Sequence, residues 1–349
     1  MVSMLDYIYE EQVTLEKIIK EFDFNLPELK DVTHCLILAT GSSYNASLAA
    51  KYYMESTGNV YIDIQEPFDF LHYGKVDPKF DLVIAVSQSG KSTSTIHAIE
   101  KITQSQKIKT ITLTSDSESP ITKVADRTFN LNMGIEKVGF VTKGYSATVL
   151  NLMLLSLTIA SQSHRMDEKV LEKEKENLYK AVYSINKIID KTAKFFENKK
   201  AELKESNRFL AIGYGPNWGT AKEFETKFTE TVRKPSQGFE LEAYMHGPYL
   251  EANETHSIFF VETDSAILSR SKALRGYMES HVKRCYVIST QSAGGEDELA
   301  LDLDVSEKIS PLLLVIPFQY FAYQIATIQG IDLGQRIFDD FDQVLQSKI

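Results

Sequence analysis

Two groups of residues in this chain have side-chain types and spacings that could do chemistry. The first is the hydroxyl-rich turn Ser87-Gln88-Ser89-Gly90, continued by Ser92 and Thr93. With the backbone N–H groups left unpartnered where a helix begins, its hydroxyls would make a neutral cradle for a dianionic phosphate. Serine and threonine are also ordinary helix N-caps, so the turn alone fits an over-capped helix start equally well. The second group lies in residues 222–248. Glu223, Lys227 and Glu230 recur along one apparent helix, and Met245-His246-Gly247-Pro248 closes the stretch. Carboxylate and imidazole groups can move protons near neutral pH. A charged helix face followed by a plain turn accounts for the same residues.

Elements that would position these groups are readable from the apolar pattern. Residues 1–30 carry an amphipathic helix, with Leu15, Ile18 and Ile19 on one face. Short apolar runs at 35–39, 60–64, 82–86 and 108–114 read as strands, and alternation with helical segments predicts βαβ units and a parallel sheet. The helix after Thr40-Gly41-Ser42-Ser43-Tyr44 is expected to end at Gly58 as its C-cap. Residues 146–206 turn helical, with 151–160 apolar enough to be buried and 166–204 reading as a pair of charged helices. The second half repeats the first. Strands are expected at 209–213, 257–261 and 285–289, with a last buried strand at 312–316. The expected organisation is an N-terminal helix (1–30), a first α/β domain (31–165), connecting helices (166–205), a second α/β domain (206–335) and a tail (336–349). Where the first copy has Ser87 and Ser89, the second has Glu262 and Asp264, so phosphate is assigned to the first copy.

Composition limits the partners. At 349 residues, 43% hydrophobic and 25% charged, the chain is long enough for two ordinary cores. A net charge of −10 argues against nucleic acid, which needs a basic surplus. Cys35 and Cys285 fall in apolar runs and read as core residues of a reducing compartment. No run approaching the ~18 apolar residues of a membrane span is apparent, and the N-terminus lacks a basic and apolar leader, so a cytoplasmic location is expected. No spacing suggests a metal site, and Gly213-Tyr214-Gly215 lacks the third glycine of a dinucleotide turn, so no cofactor is expected. His34, His72 and His97 read as structural.

Together the motifs resemble the sugar isomerase (SIS) domain family, in particular the isomerase half of glucosamine-6-phosphate synthase. The family's Glu-x-x-x-Lys-x-x-Glu is matched at Glu223, Lys227 and Glu230, and its His-Gly-Pro at His246, Gly247 and Pro248. Its Ser-Gln-Ser-Gly loop is matched by Ser87 to Gly90, and its Gly-Thr-Ser-Tyr turn by Gly41, Ser42, Ser43 and Tyr44. Val138-Gly139 with Thr142-Lys143 matches a further loop, and Pro317, Gly330 and Arg336 fall in a stretch like its C-terminal segment. The resemblance implies two tandem flavodoxin-like SIS domains related by duplication. It implies that Gly41, Ser42, Ser43, Ser87, Gln88, Ser89 and Ser92 hold a sugar phosphate, with Val138 and Lys143 on one wall. Glu230 would shuttle a proton between carbons 1 and 2, beside Lys227, and His246 would assist ring opening. A homodimer with shared sites is implied, with His246 reaching a neighbour's site.

Two departures from the family shift the expected activity. No glutaminase half is apparent, and no cysteine follows Met1, so the chain is not expected to make its own ammonia. The synthase's lysine four residues after an arginine is replaced by Asp340 at that offset from Arg336, with Lys348 as a candidate substitute. Both point toward deglycases that act on 6-phosphorylated fructosamine adducts. A plain aldose–ketose isomerase, an ammonia-independent synthase-like isomerase and a non-catalytic sugar-phosphate sensor are the alternatives.

Overall fold

The computed structural model describes residues 2–349 apart from 106, 107 and 336. The residue Arg336, invoked above, therefore lies outside the described residues. Elements run in chain order as α1 (Met4–Glu21), β1 (His34–Ala39), α2 (Ser42–Gly58), β2 (Tyr61–Gln65), α3 (Pro67–Tyr73), β3 (Leu82–Val86), α4 (Thr93–Ser105), β4 (Lys109–Thr114), β5 (Arg127–Asn130), α5 (Lys143–Gln162), α6 (Glu168–Tyr183) and α7 (Ile185–Glu205). They continue as β6 (Arg208–Gly213), α8 (Asn217–Thr231), β7 (Ser236–Glu240), α9 (Leu241–Met245), β8 (His256–Glu262), α10 (Leu268–Met278), β9 (Arg284–Ser289), β10 (Glu298–Ala300), α11 (Pro311–Leu314), α12 (Ile316–Ile328) and α13 (Phe341–Leu345). The chain divides into two compact units. The first comprises Val13–Glu176 with Gln335–Ile349, and the second Met1–Gln12 with Asn177–Gly334.

In the first unit five parallel strands lie in the order β2-β1-β3-β4-β5. Strand β3, Leu-Val-Ile-Ala-Val, is buried along its whole length, as a strand covered on both faces requires. On one face Leu36, Leu38, Val83 and Ala85 pack with Phe70, Ile96, Ile99 and Ile102 from α3 and α4. Small residues Ala46, Ala49 and Ala50 of α2 are fully buried, and Gly58 brings the helix end against α5. A Cβ at Gly58 would sit 3.3 Å from the Ser156 carbonyl. Gly58 is the last helical residue rather than the cap: Asn59, at φ 48°, takes the left-handed position, which asparagine tolerates.

The second unit repeats the arrangement, with the order β7-β6-β8-β9-β10. Counted within each unit, both sheets read 2-1-3-4-5, the flavodoxin-like order. Leu210, Ile212, Ile258, Phe260 and Val287 face α9 and α10 on one side. Phe259 carries aromatic contacts to Phe224, Phe318 and Phe321 on the other, with ring centroids 5.8, 5.7 and 5.8 Å away.

Residues 312–316, expected as a strand, are helical: Pro311 sits in the first turn of α11, and α12 follows almost at once. Five consecutive apolar residues suit a buried helix as well as a buried strand, and Pro311 at a helix start decides between them. Among the described residues, the helix Lys143–Gln162 and the helical run Pro311–Ile328 formed by α11 and α12 prove long and apolar enough to cross a membrane, contrary to the reading of the sequence. Their apolar windows are 94% and 78% buried inside the protein, which core packing explains. Both cysteines are free and buried. Burial pushes both thiols up, Cys285 to about 12, so neither is suited to act as a nucleophile.

Candidate functional site

In a 2-1-3-4-5 sheet the chain leaves β1 and β3 in opposite directions, and the crevice between their C-terminal ends is the expected ligand position. The first unit uses it. After β1, Gly41 adopts φ +57° and admits Ser42 as the first residue of α2. After β3, the Ser87 N–H donates to the Leu113 carbonyl (3.0 Å), and the Gly90 N–H closes a turn on the Ser87 carbonyl (2.9 Å). The Gln88 carbonyl accepts from the Ser115 N–H (2.9 Å), the Ser115 hydroxyl (2.8 Å) and the Thr114 hydroxyl (3.1 Å). Gly90 is obligatory: at φ +64°, a Cβ there would lie 1.9 Å from the Ser119 Oγ.

The result is a pocket of about 550 Å³ lined by Thr40, Ser42, Ser43, Ser87, Gln88, Ser89, Ser92 and Val138. Gly41 and Lys143 do not line it. Gly41 shapes the turn, and Lys143 is a buried residue at the start of α5. Charged residues also line it: Lys348, named above as a candidate substitute for the family lysine, and Lys91, Asp116 and Glu136, which were absent from the expected set. Lys348 arrives because the tail pairs with the loop. Thr93 N–H donates to the Ser347 carbonyl (3.2 Å) and Ile349 N–H to the Lys91 carbonyl (3.0 Å). Lys348 also pairs with Asp342 at 3.4 Å.

The second unit holds the acid–base candidates. Positions 223, 227 and 230 fall on one face of α8. The Lys227 ammonium lies 2.5 Å from Glu230 and 3.8 Å from Glu223. Glu223 and Lys227 are buried, whereas the Glu230 side chain is 38% exposed. A buried ammonium is expensive unless paired, and here two carboxylates pair it. Glu230 is thus the accessible end of a buried charged row. His246 follows the last residue of α9, is exposed, and is joined by no hydrogen bond or ion pair to Glu230 or Lys227 among the described residues. Nor do those residues include a group of three or more His, Cys, Asp or Glu placed to hold a metal ion.

Comparison with known proteins follows the same division. The SIS domain family model matches residues 28–160. That stretch is a SIS domain. Over 88% of the chain the sequence is 26% identical to the glutamine–fructose-6-phosphate aminotransferases of Synechocystis sp. and Vibrio cholerae, covering 51% of each. The chain therefore spans about half the length of these curated relatives and is homologous to their isomerase domain. A Clostridium difficile structure assigned provisionally to the phosphosugar isomerases superposes with a TM-score of 0.91 at 25% identity, covering 99% of this chain and 98% of that one. The C-terminal domain of the Francisella tularensis glucosamine-fructose-6-phosphate aminotransferase superposes with a TM-score of 0.85 at 20% identity, covering 95% and 97%, and shows the same fold. Glucosamine-6-phosphate deaminase of Thermotoga maritima follows at 0.76 and 25% identity, covering 95% and 96%. The architecture is two tandem SIS-type α/β domains.

Within the SIS domain, the signal for Lys91 was present in the serine-rich stretch itself, where a lysine stands among hydroxyls. Glu136 had no such signal, because its partners are set by tertiary folding. Its Oε1 accepts from the N–H groups of Thr142 (3.1 Å) and Lys143 (3.0 Å), and its Oε2 from the Gln88 amide (2.6 Å).

Proposed function

We propose that this chain is a phosphosugar-converting enzyme. In this reading the SIS-domain pocket anchors the phosphate of a 6-phosphorylated ketose or fructosamine, and Glu230 moves a proton between carbons 1 and 2. The observation that carries the proposal is the pocket at the β1/β3 crevice, lined by eight hydroxyl side chains and by Lys91 and Lys348. A dianion finds hydroxyl donors on the serines of the two turns there, and Lys91 and Lys348 offset the acids Asp116 and Glu136 of the same lining. Glu230 suits the proton transfer because a carboxylate can remove a carbon-bound proton and return it to the neighbouring carbon. Lys227 would hold that carboxylate in one orientation. His246, exposed at the end of its helix, would move the ring-opening proton, and in a homodimer it would serve the site of the neighbouring copy.

Within this chemistry the deglycase reading is the finer proposal: proton transfer followed by hydrolysis of an imine to sugar phosphate and amine. Asp340 at the offset of the family lysine supports it, as does the likeness to a glucosamine-6-phosphate deaminase. One observation favours a plain aldose–ketose isomerase instead: Lys348 lines the pocket and could take the family lysine's place. The test is incubation with a panel of 6-phosphorylated ketoses and fructosamine adducts, with products followed by mass spectrometry and chromatography. Release of free amine identifies a deglycase, and interconversion without mass change identifies an isomerase. Glu230→Gln is expected to lower turnover by about 10²–10⁴-fold, the contribution of a positioned acid–base group. Binding without conversion by the unaltered protein would replace the enzyme reading with that of a sensor.

A further inference from the structure

We infer that Glu136 is a positioning residue for the anion pocket, setting the geometry of the Ser87–Ser89 turn through Gln88. This inference rests on the reading of the pocket as a phosphate site. Gln88 is tied from both ends. Its main-chain carbonyl takes three donors from the end of β4, at 2.9, 2.8 and 3.1 Å. Its side-chain amide donates to the Glu136 Oε2 at 2.6 Å and to the Met133 sulfur at 3.6 Å. The amide is therefore turned toward the wall of the pocket, and both its hydrogens have acceptors.

Glu136 is held just as firmly on its other side. Its Oε1 takes the N–H groups of Thr142 and Lys143, donors that the first turn of α5 leaves without intrahelical acceptors. One carboxylate thus joins three parts of the pocket: the serine turn, the loop that carries Val138, and the start of α5. Gly144 completes the fit, since a Cβ there would lie 2.2 Å from the Gln88 amide nitrogen. With the Gln88 peptide fixed on one side and its amide on the other, and the Ser87 N–H held by the Leu113 carbonyl, the hydroxyls of Ser87 and Ser89 and the Ser89 N–H are aimed before any anion arrives. Preorganisation of this kind appears in affinity, because the ligand does not have to order the loop. A hydrogen bond to a charged acceptor, as here, is about twice as strong as a neutral one.

The experiment measures affinity for glucitol 6-phosphate, an open-chain sugar phosphate that has no carbonyl to isomerise, together with the thermal unfolding midpoint. Glu136→Gln keeps the volume but sets an NH2 group against the NH2 of Gln88, and is expected to weaken binding about tenfold. Gly144→Ala attacks the same contact without altering a pocket residue, because its Cβ would meet the Gln88 amide nitrogen at 2.2 Å, and it is expected to weaken binding by a similar factor. Unaltered affinity in E136Q overturns the inference, and so does unaltered affinity in G144A. If E136Q does not fold, G144A alone decides by the same criterion. Ser89→Ala tests the underlying reading separately. If S89A weakens binding and E136Q does not, the pocket is a phosphate site and Glu136 does not position it. If S89A leaves binding unchanged, the phosphate reading itself fails.

Discussion

The two sheets share one strand order, and each has a crevice where the order reverses, yet the crevices have opposite characters. In the first unit the loops after β1 and β3 stand apart around a pocket of about 550 Å³. In the second, the loops after β6 and β8 are tied to each other. The Tyr214 hydroxyl accepts from the Thr263 N–H at 2.9 Å and donates to the Thr263 carbonyl at 3.1 Å, and the Thr263 hydroxyl donates to Glu307 at 3.1 Å. Both turns keep a left-handed glycine after the first strand, Gly41 at +57° and Gly215 at +52°. The backbone device is therefore shared, and the side chains differ. A topological switch point supplies a place for a ligand, and residue choice determines whether the place is left open or closed by the protein itself.

The comparison also revises the role of charge. Glu262, which takes the place of Ser87, is buried and accepts from Ser271 at 3.0 Å and Arg275 at 3.3 Å, both on α10. Its charge is balanced within the unit. Tyr214 and Glu307 are what join the loops.

The strongest way to break the open crevice is at Gly90. Alanine there meets both the left-handed backbone and the Ser119 hydroxyl, and should cost about 2–4 kcal/mol and abolish anion binding. Thermal unfolding and calorimetric titration with glucitol 6-phosphate would measure both effects, and wild-type affinity in G90A would show that the turn is not the anchor. Next in size is Ser87→Glu, which places in the open crevice the acid that the second unit carries at Glu262. Without an Arg275 beside it, the new carboxylate should weaken sugar-phosphate binding by at least about a hundredfold, relieved in part by salt. Equal binding at low and high salt in this variant would remove charge from the account.

The sequence exposed the difference between the crevices better than it exposed their construction. The largely buried strands β1, β3, β6, β8 and β9 were legible to within a residue or two, because continuous apolar runs are what parallel central strands need. Strands β5, β7 and β10 were not, being only 4, 5 and 3 residues long and, in Arg-Thr-Phe-Asn and Ser-Gln-Gly-Phe-Glu, without an apolar run. Ser42, Ser43, Ser87, Ser89 and Ser92 are local to one turn each and could be read, whereas Ser115 and Ser347 join the pocket from other segments and were not. Lys348 reaches the pocket by a bridge to Ser92 across most of the chain, and Glu136 by hydrogen bonds that no spacing announces. Long-range pairing of polar groups leaves no periodic trace in a sequence.

The smallest expected effect sharpens the closed side of the comparison. Tyr214→Phe removes one oxygen and leaves the ring in place among Leu210, Ile212 and Tyr244. The Thr263 N–H then loses its acceptor in a buried site, which should cost about 1–3 kcal/mol. At about 2–4 °C per kcal/mol for a unit of this size, the unfolding midpoint should fall by a few degrees. Burial pushes the Tyr214 phenol above its ordinary range, so the hydroxyl stays protonated throughout the neutral region and the loss should not vary between pH 6 and 8. Affinity for glucitol 6-phosphate should not change, because the pocket residues all belong to the first unit. A Y214F protein that bound the sugar phosphate more weakly while unfolding at the same temperature would invert the assignment, making the second crevice part of the binding site and the tie between its loops dispensable.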